Sequence, residues 1–262
     1  MDKPLILITN DDGYTASGIR ALTRAIAPLG DVYVVAPDGA RSGAACAITA
    51  TTPVAYREIL NHPDYPDEVR LFACTGTPVD CVKLAWDNIL PRRPDLLLSG
   101  INHGDNASIS AHYSGTMGAV FEGCMKGIAS IGFSLWLQRG QRYEDYPVGQ
   151  ATLDEIGDIC RRVIQNDLPQ DVCLNVNMPA LDKVRGWRVC RQARGRWEAE
   201  WASATNPHGL KAFWLTGDFH DLEPEAPDTD FAALREGYCS IVPVTIDMTA
   251  HRVINQIRTL FN

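Results

Sequence analysis

The sequence lacks the features that mark membrane-spanning and nucleic-acid-binding proteins. Charged residues, glycine and proline interrupt every apolar run before it reaches the length that crosses a bilayer. Basic residues are the minority, with 24 Lys and Arg against 32 Asp and Glu and a formal charge of −8. This balance argues against an extended nucleic-acid-binding surface, whereas a pocket for one small anionic ligand needs no basic surface.

The sequence also shows no paired-cysteine motif, and no signal peptide is visible in it. Its eight cysteines are scattered, most of them among apolar residues, and no Cys-x-x-Cys pair occurs. This pattern indicates reduced core thiols and argues against a structural zinc site. The N-terminus enters an apolar strand without a basic segment and a long apolar run. We therefore expect a cytoplasmic protein.

Apolar residues make up 45% of the 262 residues, which is enough to bury a large core. Up to about residue 178, short apolar strands alternate with amphipathic helices. The predicted strands are 5–9, 32–36, 69–74, 96–99, 131–137 and 172–176. The predicted helices are 17–29, 78–90, 115–127 and 153–164. Continuous apolar strands that alternate with helices predict a doubly wound, mostly parallel sheet covered on both faces.

Beyond residue 178 this alternation is lost, and tryptophans are scattered among charged residues. We expect hairpins and an extended arm, then a strand at 238–248 and a closing helix at 251–261. The predicted fold class is therefore α/β, with a core at 1–178 and a β-rich C-terminal extension at 179–262. Exposed aromatic arms are costly in a monomer, so we expect the extension to be used in oligomerisation.

The first predicted strand runs directly into Asn10, Asp11, Asp12 and Gly13. Strand residues point to alternate faces, so both carboxylates reach one point only where the backbone twists beyond the strand, as Gly13 permits. Adjacent carboxylates repel each other unless one takes up a proton or both share a cation. We interpret the pair as a cation site. The alternative is that Asp12 only caps a following helix.

Polar loops follow other strands at the same edge of the predicted sheet, where open parallel sheets bind ligands. Ser42 follows the second strand, and Asn102 follows the strand at 96–99. Together with Asp11 and Asp12 they form a set of two carboxylates, a hydroxyl and an amide carbonyl. Such an all-oxygen set suits a hard cation, Mg²⁺ or Mn²⁺, with water completing the coordination.

A predicted helix begins at Ser114, Gly115 and Thr116, where hydroxyls and backbone N–H groups are well placed for a phosphate. The alternative is an ordinary Ser/Thr cap. The segment 76–80 has Pro78 at the first helical turn, which is typical of a simple helix start. We assign this segment no catalytic role.

Separated motifs along most of the chain resemble those of one enzyme family. The motifs are 9–13 (TNDDG), 36–38 (APD) with Ser42 and Gly43, 76–82 (GTPVDCV), 99–102 (SGIN) with Gly104 and Asn106, 113–116 (YSGT) through 122–123 (EG), 174–177 (LNVN), 217–218 (GD) and 229–230 (TD). Together they resemble the SurE family, the survival-protein-E-type metal-dependent nucleotidases.

The resemblance implies that Asp11, Asp12, Ser42 and Asn102 bind one divalent cation per subunit, the same set that the residue chemistry selects. It also implies a Rossmann-like core, a homodimer or homotetramer with exchanged C-terminal elements, and hydrolysis of nucleoside 5′- or 3′-monophosphates. The segment 107–112 departs from the pattern of many family members, which carry a glycine and acidic residues there. The substrate preference is therefore left open.

The mechanism expected from these residues makes Asp11 and Asp12 the catalytic pair that holds the cation. The candidates for binding the substrate's phosphate are Asn10, Asn106, Ser114, Gly115 and Thr116. One alternative is a phosphatase of the haloacid dehalogenase type, in which an Asp is phosphorylated, although its usual spacing is Asp-x-Asp. Another is a regulatory protein that binds nucleotides without turnover.

Overall fold

The computed structural model describes residues 3–137, 148–181 and 184–261. Within these ranges the chain forms 13 strands and six α-helices. The strands are β1 Leu5–Thr9, β2 Asp31–Pro37, β3 Tyr56–Ile59, β4 Arg70–Cys74, β5 Leu96–His103, β6 Ala129–Trp136, β7 Val172–Pro179, β8 Trp187–Val189, β9 Gly195–Glu198, β10 Trp201–Thr205, β11 Lys211–Leu215, β12 Asp218–Asp221 and β13 Cys239–Thr245. The helices are α1 Ser17–Ile26, α2 Pro78–Leu84, α3 Gly115–Met125, α4 Gln150–Asn166, α5 Asp230–Arg235 and α6 Ile254–Arg258.

Nine strands form the central sheet in the order β3-β4-β2-β1-β5-β6-β7-β13-β8. The strands from β4 to β7 in this order are parallel, whereas β3 and β13 run antiparallel to β4 and β7. The chain moves outward from β1 through β2 to β4, then returns to place β5 on the other side of β1. The strand order therefore reverses between β1 and β5, and such a switch point is where open α/β sheets bind ligands.

Two apolar cores cover the two faces of this sheet. In β1, Ile6 and Ile8 belong to the core that contains α1 and α4, while Leu7 belongs to the core that contains α2 and α3. In β5, Leu97 likewise faces the second core and its neighbours the first. Because both faces are covered, these strands read as continuous apolar runs. This confirms the predicted α/β fold with a mostly parallel sheet.

The C-terminal region contributes directly to the central sheet. Strand β13 pairs with β7, and the short strand β8 pairs with β13. The predicted division of the chain at residue 178 stays a prediction, and the sheet includes strands from both sides of it. The other C-terminal strands form two antiparallel pairs, β9 with β12 and β10 with β11. These pairs are the extra strands expected in the extension.

Several predicted helices are shorter than expected. Helix α1 ends at Ile26 and is followed by a 3₁₀ turn, Ala27–Leu29, and α3 ends at Met125. Helix α2 ends at Leu84 and continues as a π-helical turn, Ala85–Ile89, before Pro91. The predicted closing helix is divided into a 3₁₀ turn, His251–Val253, and the short α6. Short helices depend on packing for stability, and the closing segment is exposed along most of its length. Among the described residues, no helix has both the length and the apolar character needed to cross a membrane.

Candidate active site

A tight turn follows β1 and fixes the direction of its two carboxylates. The side chain of Asn10 donates to the carbonyl oxygen of Gly13 (3.0 Å) and accepts from the Gly13 N–H (3.2 Å). Gly13 has a φ of +97°, a conformation that favours glycine. Asn10 is fully buried and shapes this turn. These bonds engage both polar atoms of its side chain. Its expected role in phosphate binding stays a prediction.

Asp11 is buried, with 4% of its surface exposed. Its Oδ1 accepts a hydrogen bond of 2.6 Å from the Thr116 hydroxyl. Burial, with a smaller contribution from the charge of Asp12, raises the pKa of Asp11 from 3.8 to about 6, although hydrogen bonds from Thr116 favour the charged form. A buried carboxylate beside a second one is a strong site for a cation, which removes the repulsion between them.

The N-terminus of α3 lies directly against Asp11. A Cβ at Gly115 would lie 2.8 Å from the Cβ of Asp11, so only glycine permits this approach. Ser114 caps the helix, since its hydroxyl accepts from the Met117 N–H at 3.0 Å. The positive end of the helix dipole therefore faces the carboxylate. The structure confirms that Ser114 is an N-cap residue. Its role in binding a phosphate stays a prediction.

Asn102 and Asp12 meet through the backbone between β1 and β5. The backbone N–H of His103 lies 3.4 Å from Oδ2 of Asp12, which places the preceding residue, Asn102, beside this carboxylate. The amide nitrogen of Asn102 donates to the Gly104 carbonyl oxygen at 2.8 Å. This bond orients the side chain through its amide nitrogen, and the predicted role of its carbonyl oxygen as a metal ligand stays a prediction.

The prediction that the strand at 96–99 ends before Asn102 is wrong. Strand β5 continues to His103, because Asn102 and His103 pair with Ser134 and Leu135 of β6 after a shift of register beyond Ser99. Asn102 therefore lies on the end of a strand, which holds its position more firmly than a loop does.

Ser42 lies in the loop that follows β2. The N–H of Arg41 donates to the carbonyl oxygen of Asp11 at 2.6 Å. This contact brings the neighbouring residue, Ser42, to the end of β1, where its side chain is exposed. Backbone contacts thus place Ser42 next to a residue that binds Asp11, and Asn102 next to a residue that binds Asp12.

The chemistry of these four residues fits a hard divalent cation. Among residues 3–137, 148–181 and 184–261, no three His, Cys, Asp or Glu side chains cluster as a metal site. The predicted ligands beside the Asp11–Asp12 pair, Ser42 and Asn102, are neutral oxygen donors, and their role as ligands stays a prediction. Mg²⁺ and Mn²⁺ accept such a set together with water. Burial, with a smaller contribution from the charge of Asp12, raises the pKa of Asp11, and a cation at the pair would oppose this shift.

Asn106 lies in a buried polar network next to the site. Its amide nitrogen donates to the Ser134 hydroxyl at 2.7 Å, and its backbone N–H donates to Oδ1 of Asn177 at 2.8 Å. Asn175 closes the network by donating to the Asn106 carbonyl oxygen at 2.8 Å. These bonds hold the segment that follows β5, and the predicted contact between Asn106 and a phosphate stays a prediction.

Sequence reasoning missed the residues that hold the segment before Ser114. Asp230 accepts from the N–H groups of Ser108 (2.8 Å) and Ala193 (3.0 Å), and the Ser108 hydroxyl donates to the Ala193 carbonyl oxygen. These partners are 37 to 122 positions apart, so no local pattern could indicate them. The C-terminal region thereby supports the part of the site that departs from the common family pattern.

Comparison with known proteins identifies the family of this chain. The family model described as Survival protein SurE matches residues 6–199, which include every expected ligand. The chain belongs to the SurE family. The predicted resemblance to SurE is therefore confirmed.

SurE relatives cover nearly the whole chain. A protein of Phocaeicola vulgatus named 5′-nucleotidase SurE is 47% identical over 257 residues, which cover 98% of this chain and 96% of that protein. A protein of the same name from Bacteroides fragilis is 44% identical over 261 residues, covering 98% and 97%. The crystal structure of SurE from Aquifex aeolicus matches with a TM-score of 0.77 at 34% identity, covering 99% of this chain and all of that one. The SurE fold thus includes the C-terminal strands.

Proposed function

We propose that this SurE-family protein is a metal-dependent 5′-nucleotidase that hydrolyses nucleoside 5′-monophosphates to nucleoside and phosphate, with 3′-monophosphates as a second substrate class to be tested. The observation that carries the proposal is the buried Asp11 beside Asp12 at the switch point, with a raised pKa and the N-terminus of α3 against it. The relatives from Phocaeicola vulgatus and Bacteroides fragilis are named 5′-nucleotidase SurE, which supports the same activity.

In this proposal Asp11, Asp12, Ser42 and Asn102 hold one Mg²⁺ or Mn²⁺ ion. When bound, the ion neutralises phosphoryl oxygens and lowers the pKa of a nearby water. Because Ser42 and Asn102 are neutral, the two carboxylates only balance the charge of the ion, and the site carries no net negative charge toward an anionic substrate.

The chain's own groups then orient the phosphate around this centre. Thr116 fixes the buried carboxylate of Asp11 through its hydroxyl. The N–H of Gly115 belongs to the first turn of α3, whose N–H groups have no acceptor within the helix, so it is available to a phosphoryl oxygen. Hydrogen bonds of this kind stabilise the charge that builds up in the transition state.

The test is phosphate release from a panel of 5′- and 3′-nucleoside monophosphates with Mg²⁺, Mn²⁺ or EDTA. We expect metal-dependent release that Asp12→Asn abolishes. The matched control, Asp31→Asn, removes an exposed carboxylate at the opposite end of β2 and keeps full activity. No turnover from a folded protein that binds Mn²⁺ would favour a nucleotide-binding regulatory protein. A trapped phosphoenzyme would favour the Asp-nucleophile mechanism.

We also propose that the subunits form a homodimer or homotetramer through the C-terminal region. The β10–β11 pair carries large exposed apolar side chains, with Trp201 at 64%, Phe213 at 58% and Trp214 at 70% exposure. Phe261 after α6 is 84% exposed. Light scattering should give a mass of two or four subunits, and Trp214→Lys should lower it. A monomer at all concentrations would contradict this proposal.

A cytoplasmic location is likewise proposed. All eight cysteines are free thiols in the structure, as expected in a reducing compartment. Fractionation of cells against cytoplasmic and periplasmic marker enzymes tests the location.

A further inference from the structure

Some of the hydrogen bonds made by the motif at 76–80 are those of an ordinary helix start. Thr77 is the N-cap of α2 and Asp80 is its third residue. The Asp80 N–H donates to the Thr77 hydroxyl (3.2 Å), and the Thr77 N–H donates to Oδ2 of Asp80 (2.9 Å). This reciprocal pair is a capping box. A capping box explains these two bonds, but it does not explain bonds from the same side chains to residues outside α2.

The same two side chains also bind a segment 30 residues away. Oδ2 of Asp80 accepts from the Thr49 hydroxyl at 2.6 Å, and its two oxygens accept from the Thr49 N–H at 3.1 and 3.2 Å. The Thr77 hydroxyl donates to the Ala47 carbonyl oxygen at 2.7 Å. Asp80 is 6% exposed, so water competes little for these bonds.

The surroundings of Asp80 keep its carboxylate in place and charged. A Cβ at Gly76 would lie 2.6 Å from the Cβ of Asp80, so glycine lets the carboxylate reach its place. Burial by itself raises the pKa of Asp80, but the hydrogen bonds from Thr49 and Thr77 outweigh it and hold the pKa below its ordinary value. The carboxylate is therefore kept charged and fully bonded.

The segment held by Asp80 is the end of the loop that carries Ser42, which we call the Ser42 loop (residues 38–49). Its other end is fixed where the Arg41 N–H donates to the carbonyl oxygen of Asp11. Two successive turns connect the ends, with N–H groups of Ala44 and Ala47 donating to the carbonyl oxygens of Arg41 and Ala44. The loop therefore spans two anchors with no strand or helix between them.

The middle of the Ser42 loop rests on α3. A Cβ at Gly118 would lie 2.1 Å from the Ala45 carbonyl oxygen, so the helix and the loop are in backbone contact there. Contact with a helix face limits movement toward the core, whereas movement away from the sheet is opposed by the bonds at the loop ends. The Asp80 end supplies four of these bonds through Thr49 and Ala47.

We propose that Asp80, with Thr49 and Thr77, is a positioning residue that holds the Ser42 loop so that the Ser42 hydroxyl stays at the metal site. This inference rests on the proposed function, because it takes Ser42 as a metal ligand. Groups that orient metal ligands typically change metal affinity by 10- to 100-fold when they are removed. Asp80 acts on the cation only through the loop.

The test measures Mn²⁺ binding and loop mobility separately from activity. The variants are Thr49→Val, which removes the hydroxyl bond, Asp80→Asn, and the conservative Thr49→Ser. Electron paramagnetic resonance of free Mn²⁺ gives its Kd, and hydrogen exchange of peptides from 40–49 reports the metal-free loop. The matched control, Asp95→Asn, removes a carboxylate that accepts a backbone N–H at the opposite end of the sheet.

We expect Thr49→Val and Asp80→Asn to raise the Kd for Mn²⁺ by about 10-fold or more and to speed exchange in 40–49. Thr49→Ser should restore both properties, and Asp95→Asn should change neither. In a Ser42→Ala background, Thr49→Val should have little further effect on Kd, because the ligand that it positions is gone.

Three results would overturn the inference. They are unchanged Mn²⁺ affinity in Thr49→Val, an equal loss of affinity in the Ser42→Ala background, and no Mn²⁺ binding by the unsubstituted protein. Failure of the proposed function gives a different result, since a protein that binds Mn²⁺ with the expected effects but hydrolyses no nucleotide would refute the activity and leave the role of Asp80 supported.

Discussion

The buried carboxylate of Asp11 should destabilise the metal-free protein at neutral and alkaline pH. Its pKa is 3.8 when exposed to water and about 6 in the folded protein. Between these values the folded state binds more protons than the unfolded state, so stability falls as pH rises through this window. One pKa unit corresponds to about 1.4 kcal/mol, so the two-unit shift gives roughly 3 kcal/mol at pH 8 and less than about 1 kcal/mol at pH 4.

The substitution Asp11→Asn removes this penalty and keeps an oxygen that can accept from Thr116. In EDTA at pH 8 the variant should therefore be more stable than the unsubstituted protein by up to about 3 kcal/mol, with most of the gain lost at pH 4. Urea denaturation at both pH values and at fixed protein concentration measures the difference. The exposed carboxylate variant Asp31→Asn serves as the control and should not reproduce the gain in stability of Asp11→Asn at pH 8.

Mn²⁺ should remove most of this stability difference. At 100 times its Kd, a ligand that binds only the folded state adds about 2.7 kcal/mol, and Asp11→Asn should lose most of this gain. The reasoning would be refuted if the variant were less stable than the unsubstituted protein in EDTA at pH 8. It would equally be refuted if the stability difference were the same at pH 4 and pH 8.

Two further predictions concern the contact between α3 and Asp11. Thr116→Val removes the hydroxyl that donates to Asp11 and should lower kcat/KM by about 10- to 100-fold at limiting Mn²⁺, whereas Thr116→Ser should retain most activity in steady-state assays. A fall of the same size in both variants would contradict the hydrogen-bond argument. Gly115→Ala forces a Cβ to within 2.8 Å of the Asp11 Cβ and should abolish phosphate release and lower stability by about 1–3 kcal/mol. The control is Gly157→Ala in α4, where a Cβ meets only the flexible end of an arginine at 3.5 Å, and it should keep full activity. An active Gly115→Ala would contradict the prediction, because it would show that α3 can move away from Asp11.

The sheet could be predicted in large part because its signals are local. Strand β1 has the predicted bounds, since its continuous apolar run reflects burial on both faces. The end of β5 could not be predicted, because Gly100 and Asn102 read as a loop and only pairing with β6 extends the strand. The insertion of β13 beside β7 depends on a pairing between segments more than 60 residues apart, for which the sequence carries no local pattern.

The candidate site could likewise be predicted only where its signals are local. Asp11, Asp12 and Asn102 could be chosen from residue type and position after a strand, because the carboxyl ends of parallel strands meet at one edge. The groups that hold them could not be chosen in this way. Thr116 is 105 positions from Asp11, and Asp80 is 31 positions from Thr49. Thr116 and Asp80 both look like ordinary helix-start residues in the sequence, and only the fold shows what they contact.

The most direct test of the central claim is phosphate release from a nucleoside 5′-monophosphate by protein that has been stripped with EDTA, dialysed and then titrated with Mn²⁺. We predict no release in the stripped protein and a saturable rise with Mn²⁺, shifted to higher concentration in Ser42→Ala. Release that is equal in EDTA and in Mn²⁺, or a Ser42→Ala titration that overlays the unsubstituted one, would contradict the account of the site.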